Sequence, residues 1–307
     1  MQHGKYRFIV GFLALPVIVY AIFVISPFVQ AFQISMTDWS GLVGTAKFVG
    51  LDNFERLWND SDFWNALRHN IYMLVAVPIV TLAMGLFFAF MLNVGGKRRK
   101  NEVVTGVAGT KFYRFVFFFP QVISITIIAV IWWNVYNPDP QDGMLNSLLS
   151  TVGLDSLTNA WLGEKSIALL CIMVVMIWAN VGFYVVLFSA AMASIPRDIY
   201  EAALLDGADR FQTFFRITLP LLWDTVQTGW VYMGIIAMDA FALVQIMSVN
   251  MGGPNGATDV MPLRLYVTAF TNSQFGYASA MGIAMLIVTM AFAILTMRFA
   301  RRERIEF

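Results

Sequence analysis

The stretch Glu-Ala-Ala-Leu-Leu-Asp-Gly-Ala at residues 201–208 decides how the rest of the chain is interpreted. It lies between two long apolar segments and has the composition of a packed loop rather than a tether. The pattern predicts a short helix from Arg197 to Leu205. Pro196 suits the first helical position, where a missing N–H group costs nothing, and Gly207 suits a left-handed stop after the last turn.

A second short helix is predicted directly after the first. Asp209 can cap this second helix, which carries several aromatic residues and is expected to end at Leu219 and Pro220. In the first helix, Ile199 and Ala203 lie one turn apart and contribute to an apolar stripe. The loop therefore has the pattern of a small folded element at the membrane surface.

The composition is that of a membrane protein. Of the 307 residues, 59% are hydrophobic and 13% are charged, which is outside the usual range for soluble globular proteins. Six apolar stretches are long enough to cross about 30 Å of hydrocarbon as helices, and Asp239 is the one Asp, Glu, Lys or Arg inside them. These stretches are residues 8–32, 70–93, 115–136, 166–193, 225–249 and 276–297. The sequence predicts an all-α fold in which residues 1–307 form a single polytopic transmembrane domain of six helices.

The distribution of basic residues predicts the orientation of these spans. With the N-terminus inside, fifteen of the 20 Lys and Arg residues lie in inner segments, so both termini and the loop at residues 194–222 are expected in the cytoplasm. The basic run at residues 97–100 is interpreted as a topology signal beside a span, and no nucleic-acid partner is expected.

The first apolar run is longer than a signal-peptide core, and we interpret it as a retained span.

Residues 201–208, together with Ile-Thr-Leu-Pro at residues 217–220, resemble the EAA loop of ABC importer permeases. The pattern in that family is E-A-A-x-x-D-G-A followed by I-x-L-P, and every element of it is present here. The family often has a second proline four residues after the first, where this chain has Asp224. In that family the loop forms a coupling helix that docks into a cleft of the cytoplasmic ATPase.

The resemblance implies roles for individual residues of the loop. Ala202, Ala203 and Gly207 are expected to set the shape of the docked helix, while Glu201 and Asp206 offer charge to the ATPase. The chain has no G-x-x-x-x-G-K-[ST] phosphate loop. ATP and Mg are therefore expected to bind to the partner ATPase, and the chain itself is expected to be neither an enzyme nor a cofactor-binding protein.

A glycine-rich segment narrows the resemblance further. Residues 252–258, Gly-Gly-Pro-Asn-Gly-Ala-Thr, resemble an outer turn found in the carbohydrate-uptake class typified by the larger maltose permease. This resemblance implies a second permease, two ATPase subunits inside and a solute-binding protein outside. The expected location is the bacterial cytoplasmic membrane, and the expected solute is a sugar or oligosaccharide.

The resemblance also implies where the solute passes. In maltose-type permeases the sugar contacts fall on the spans that flank the EAA loop, and here those spans supply Asn180, Phe183, Tyr184, Tyr232 and Asp239. Aromatic faces suit the C–H surfaces of a sugar, and amide or carboxyl groups suit its hydroxyls. For Asp239 the alternative is a carboxylate that is held by neighbouring helices or by a partner subunit.

One alternative function remains open at this point, a self-sufficient secondary transporter or channel with Asp239 as its ion or proton site. The sequence shows no detectable inverted repeat to support this alternative. His3 and His69, the two histidines, lie far apart in the sequence, and Cys171 is the single cysteine. A histidine-based metal site and an intrachain disulfide are therefore not expected.

Overall fold

A computed structural model describes residues 2–41, 46–94, 106–139 and 141–299 of the chain. Within these ranges the regular structure is helical, apart from one isolated antiparallel bridge between Thr37 and Phe48. The prediction of an all-α fold is confirmed. The basic runs at residues 97–100 and 301–304, on which part of the orientation argument rests, lie outside the described residues.

Fifteen α-helices are present in the described ranges. They are α1 (Gln2–Tyr20), α2 (Ser26–Ser35), α3 (Asp52–Asn59), α4 (Ser61–Asn93), α5 (Thr110–Val122), α6 (Ile125–Val135), α7 (Met144–Thr151), α8 (Ala168–Ala193), α9 (Arg197–Leu205), α10 (Arg210–Gln212), α11 (Leu219–Leu221), α12 (Trp223–Met238), α13 (Phe241–Met247), α14 (Met261–Tyr266) and α15 (Phe275–Phe299). Three π-helical segments continue α1, α10 and α14, at Ala21–Ile25, Thr213–Thr218 and Val267–Thr271.

Four helical segments are each long and apolar enough to cross a membrane. They are Phe8–Ser35, Ser61–Asn93, Ala168–Ala193 and Phe275–Arg298. Two bent pairs pass the same criterion, α5 with α6 at an angle of 95° and α12 with α13 at 45°. The described residues therefore provide four spans, or six if each bent pair crosses once. The sequence presents each pair as one continuous apolar stretch, and the structure divides it.

Both breaks are visible in the backbone angles. Ile123 and Ser124 are extended, with ψ values of 138° and 135°, and Pro120 in the preceding turn has no N–H group to donate. At the second break, Asp239 and Ala240 leave the helical region with ψ values of 41° and 25°. No proline lies within the second pair. The sequence therefore signals the first break but not the second.

The chain divides into two compact units. The first unit comprises Met1–Trp64 and Arg264–Val288, and the second comprises Asn65–Leu263 and Thr289–Phe307.

In the first unit, polar contacts connect the end of α3 and the start of α4 to α14 and to the start of α15. The hydroxyl of Tyr277 donates a hydrogen bond to Asp60, and the guanidinium of Arg56 lies 3.9 Å from the centre of the Tyr277 ring. Arg264 forms an ion pair with Asp62 at 3.1 Å. Burial of Asp60 opposes its ionisation. The hydrogen bond from Tyr277, two backbone N–H groups and the charge of Arg264 outweigh that effect and lower the pKa of Asp60.

In the second unit, α8 is the helix against which the others pack. It contacts α5, α6, α12 and α13, and its Tyr184 and Phe188 are fully buried. The backbones of α5 and α8 lie very close together. A Cβ atom added at Gly182 of α8 would lie only 1.8 Å from the carbonyl oxygen of Phe117 in α5. Such a small residue allows two helix backbones to come together within a membrane.

Candidate functional site

The helix α9 has the predicted bounds, and both of its ends have defined geometry. Pro196 lies one residue before the first helical position, with an extended ψ of 136°. At the other end Gly207 has a φ of +78°, so the predicted left-handed stop is confirmed. The N–H groups of Gly207 and Ala208 donate to carbonyl oxygens of α9 at 3.1 and 2.9 Å. This pair of bonds is a Schellman termination, which fixes the end of the helix.

One face of α9 is buried against the segment that follows it. Tyr200 and Ala203 are only 4% and 6% exposed. The Tyr200 hydroxyl lies 3.3 Å from Oγ1 of Thr218, and the Thr218 hydroxyl in turn donates to the carbonyl of Thr213 at 3.2 Å. Burial raises the pKa of the Tyr200 phenol, which therefore stays neutral. The contact between Tyr200 and Thr218 connects α9 to the end of the following π-helical segment.

The other face of α9 is open. Glu201, Ala202 and Asp206 are exposed, and Leu205 is 89% exposed. Phe211 in the next turn is 70% exposed. A leucine and a phenylalanine left open beside carboxylates form a mixed surface of the kind that a protein partner covers.

The segment after α9 differs in part from the prediction. The carboxylate of Asp209 accepts from the N–H of Gln212 at 2.7 Å, and the Gln212 side chain accepts from the N–H of Asp209 at 3.2 Å, which is a capping box. The helical segment ends at Leu221, within one residue of the predicted end at Leu219 and Pro220. The chain reaches this end through the π-helical turn Thr213–Thr218, which the sequence does not predict. The π turn changes the hydrogen-bond register just before the residue that lacks an N–H group.

A second candidate site lies at the two helix breaks. A cavity of about 340 Å³ is lined by α5, α6, α8, α12 and α13 together with the residues of both breaks. Its polar lining residues are Gln121, Asn180 and Asp239, and the remainder of the lining is apolar. The Asn180 amide donates to the carbonyl of Met176 at 2.8 Å. A carboxylate placed at a helix break inside a span is typical of a polar pathway rather than of a lipid-facing surface.

The structure separates the predicted pathway residues into three settings. Asn180 and Asp239 lie together in the cavity. Phe183 and Tyr232 form an aromatic pair with ring centres 5.7 Å apart, and Tyr232 is half exposed. Tyr184 is fully buried, does not line the cavity, and donates a hydrogen bond at 3.3 Å to a carbonyl of α12. In this conformation Tyr184 joins two helices.

Two residues of these sites are missing from the sequence prediction. Gln121 lines the cavity. In the sequence it is recognisable as a polar amide next to Pro120 within an apolar run. Leu205 is the most exposed large apolar residue of α9. The sequence indicates the exposure of Leu205 only weakly. Leu205 lies outside the apolar stripe of Ile199 and Ala203, but its neighbour Leu204 is also apolar, so the pattern does not single out Leu205.

Together these features define a membrane transport protein. Its helices line a cavity with three polar side chains at two helix breaks, and a short amphipathic helix follows the end of a span. Within the described part of the chain, no three His, Cys, Asp or Glu side chains are grouped so that they could hold a metal ion. Residues 63–305 match the family described as binding-protein-dependent transport system inner membrane component, and the chain belongs to this family.

Similar proteins agree with this assignment. The diacetylchitobiose uptake system permease protein NgcF of Streptomyces coelicolor is 45% identical over 296 residues, which cover 96% of this chain and 82% of that protein. The multiple sugar-binding transport system permease protein MsmF of Streptococcus mutans is 30% identical, with coverage of 95% and 94%. A crystal structure of a bacterial ABC transporter involved in alginate import has a chain with a TM-score of 0.80 at 23% identity, with 97% of each chain covered. The chain is thus a multi-span permease of an ABC importer, and the likeness to the alginate transporter shows the fold.

Proposed function

We propose that the solute of this importer is a sugar or oligosaccharide, delivered by an extracytoplasmic binding protein, and that the cavity at the two helix breaks is part of its pathway. The observation that carries the proposal is the convergence of Gln121, Asn180 and Asp239 on one cavity. Two amides and a carboxylate among apolar side chains match a solute with many hydroxyl groups. Phe183 of α8 and Tyr232 of α12 provide an aromatic surface, and both of these helices also line the cavity. The two relatives named above are described as permeases of diacetylchitobiose uptake and multiple sugar-binding transport systems, which supports this class of solute.

A substitution at Asp239 tests the pathway. Asp239→Asn keeps the size of the side chain and removes its charge, so we expect solute uptake to fall on the order of tenfold, because a hydrogen bond to a charged group contributes about 1.5–3 kcal/mol. The measurement is uptake of radiolabelled diacetylchitobiose, maltose and a longer chitooligosaccharide by cells that carry the complete importer.

The matched control is Asp142→Asn, which makes the same change at an exposed loop position outside the cavity. It should leave uptake unchanged. Equal uptake by the Asp239→Asn variant and the wild type, at equal amounts of protein in the membrane, would remove Asp239 from the pathway.

We further propose that α9 is the coupling helix. Glu201, Asp206 and Leu205 lie on its open face, and Ala202 keeps part of that face flat, so a partner can approach closely. Ala203 lies on the opposite face of α9, which is buried against the rest of this chain. Because the contact between Tyr200 and Thr218 joins α9 to the segment that leads into α12, a push on α9 is transmitted to α12.

The proposed assembly contains this chain, a second permease, two ATPase subunits that bind ATP and Mg, and the binding protein. Residues 1–307 act as a single transmembrane domain with six spans and both termini in the cytoplasm. Purification of the full chain in mild detergent from its native host tests this assembly. Co-purification of a second permease and a P-loop ATPase supports it, whereas a lone chain that transports with an ion gradient would favour the secondary transporter. Family membership argues against that alternative.

A further inference from the structure

Another cavity of the second unit lies at the start of α8, whereas the helix α9 follows the end of α8. The length of α8, roughly 39 Å at 1.5 Å per residue, separates the two. This cavity is open, has a volume of about 320 Å³, and lies between the first part of α4, the start of α8 and the glycine-rich segment Asn255–Ala257. The lining residues are Asn65, Arg68, His69, Tyr72, Lys165, Ser166, Leu169, Leu170, Met173, Asn255, Gly256 and Ala257. Nothing in the transport pathway or the coupling helix uses this cavity.

The charge in the cavity has one sign. Arg68 and Lys165 both line it, and among the residues that the structure describes no Asp or Glu lines it. The nearest carboxylate in the sequence, Glu164, accepts a hydrogen bond from Ser166 at 3.3 Å but does not line the cavity. Two cations that face one space without a carboxylate favour an anionic ligand.

The rim of the cavity is held by hydrogen bonds. The guanidinium of Arg68 donates to the Asn65 amide oxygen at 2.8 Å, and the amide nitrogen of Asn65 donates to the carbonyl of Gly256 at 2.9 Å. Nδ1 of His69 lies 2.8 Å from the carbonyl of Asp259. Arg68 is therefore oriented by a chain of contacts that also fixes the glycine-rich segment.

The position of the cavity relative to the hydrocarbon distinguishes between anions. Arg68 precedes the apolar run at residues 70–93 by two positions, and Lys165 precedes the start of α8 by three. Both cations thus lie where the hydrocarbon ends and the phosphates of a bilayer begin. Tyr72, one helical turn after Arg68, and Leu170 also line the cavity, and these two largely apolar side chains are 52% and 56% exposed and form one wall of it. A soluble anion would leave this wall uncovered.

We propose that this cavity binds an anionic phospholipid, with its phosphate between Arg68 and Lys165 and an acyl chain along Leu170 and Tyr72. The bound lipid also covers Asn255–Ala257, so its headgroup stabilises the conformation of the glycine-rich segment. Phosphatidylglycerol is the probe with the required chemistry, because it combines one negative phosphodiester with two acyl chains.

The test uses the full chain in mild detergent and native mass spectrometry with added dioleoyl phosphatidylglycerol or dioleoyl phosphatidylcholine. We expect the double variant R68Q/K165Q to bind phosphatidylglycerol roughly 30-fold more weakly, since each basic residue at a membrane surface contributes about a factor of five. Binding of phosphatidylcholine should be unchanged. The matched control, K47Q/K111Q, neutralises two exposed lysines outside the cavity and should bind both lipids as the wild type does.

Three outcomes would overturn the proposal. The first is equal phosphatidylglycerol binding by R68Q/K165Q and wild type when both have the same helical content by circular dichroism. The second is displacement of the lipid by glycerol phosphate at comparable concentration, which would indicate a site for soluble phosphates. The third is loss of binding-protein capture in R68Q/K165Q with lipid binding intact, which would assign the cavity to an acidic protein surface.

Discussion

The Gly207→Val variant is expected to lose solute uptake while the chain still inserts into the membrane. Gly207 has a φ of +78°, a conformation that costs a β-branched residue about 1–3 kcal/mol. No atom lies within 4 Å of an added Cβ, so the effect is backbone strain and not a clash. This cost is small against the stability of the whole chain, but α9 has only nine residues and depends on its termination. We therefore expect the end of α9 to unwind and the coupling surface to be lost.

The chain offers a close control for this variant. Gly153, after α7, has a φ of +77° and also has no atom within 4 Å of an added Cβ. Gly153→Val therefore imposes the same strain away from α9 and should leave uptake near the wild-type level. The measurements are solute uptake and the amount of protein in the membrane fraction. Normal uptake by Gly207→Val, or equal loss in both variants, would contradict a coupling role for α9.

The Gly182→Ala variant is expected to be severely destabilised. The added Cβ would lie 1.8 Å from the carbonyl oxygen of Phe117 and 2.9 Å from the backbone nitrogen of Phe118. Because both contacts are to backbone, no side chain can rotate away, and α5 must move from α8 by more than 1 Å. Overpacking typically costs about 1–3 kcal/mol, and a clash with backbone places this variant at the upper end of that range. The same displacement moves Gln121 and so disturbs the solute cavity.

The appropriate comparison is Gly11→Ala, a glycine of α1 with nothing within 4 Å of an added Cβ. It should gain slightly from the higher helix propensity of alanine. Thermal unfolding in detergent and accumulation in the membrane measure both effects. If Gly182→Ala unfolds at the same temperature as the wild type, the close contact between α5 and α8 does not exist in the protein.

The loop around α9 is predictable from sequence because its signals are local. Proline before the helix, glycine after it and the capping box at Asp209 each act within a few residues, and the structure has α9 with the predicted bounds. The π-helical turn Thr213–Thr218 is not predictable in this way, because the propensity of a single residue does not encode such a turn.

The solute cavity is only partly predictable for a different reason. Asn180 and Asp239 are recognisable as polar residues inside apolar runs. They line one cavity only because the helix breaks between α12 and α13. No proline or glycine marks that break, so its position follows from packing between helices. The burial of Tyr184 is likewise a tertiary effect, because the helical pattern alone does not show which aromatic residue joins α8 to α12.

The role of α9 is tested most directly by identifying what this helix contacts in the assembled importer. A photoreactive benzophenone amino acid at Leu205, which is 89% exposed, should crosslink to a P-loop ATPase in intact membranes. The same probe at Leu148, which is 61% exposed on α7, serves as the control and should give no ATPase adduct. An adduct from position 205 alone is the predicted result. No ATPase adduct from position 205, or equal adducts from both positions, would contradict the assignment of α9 as the coupling helix.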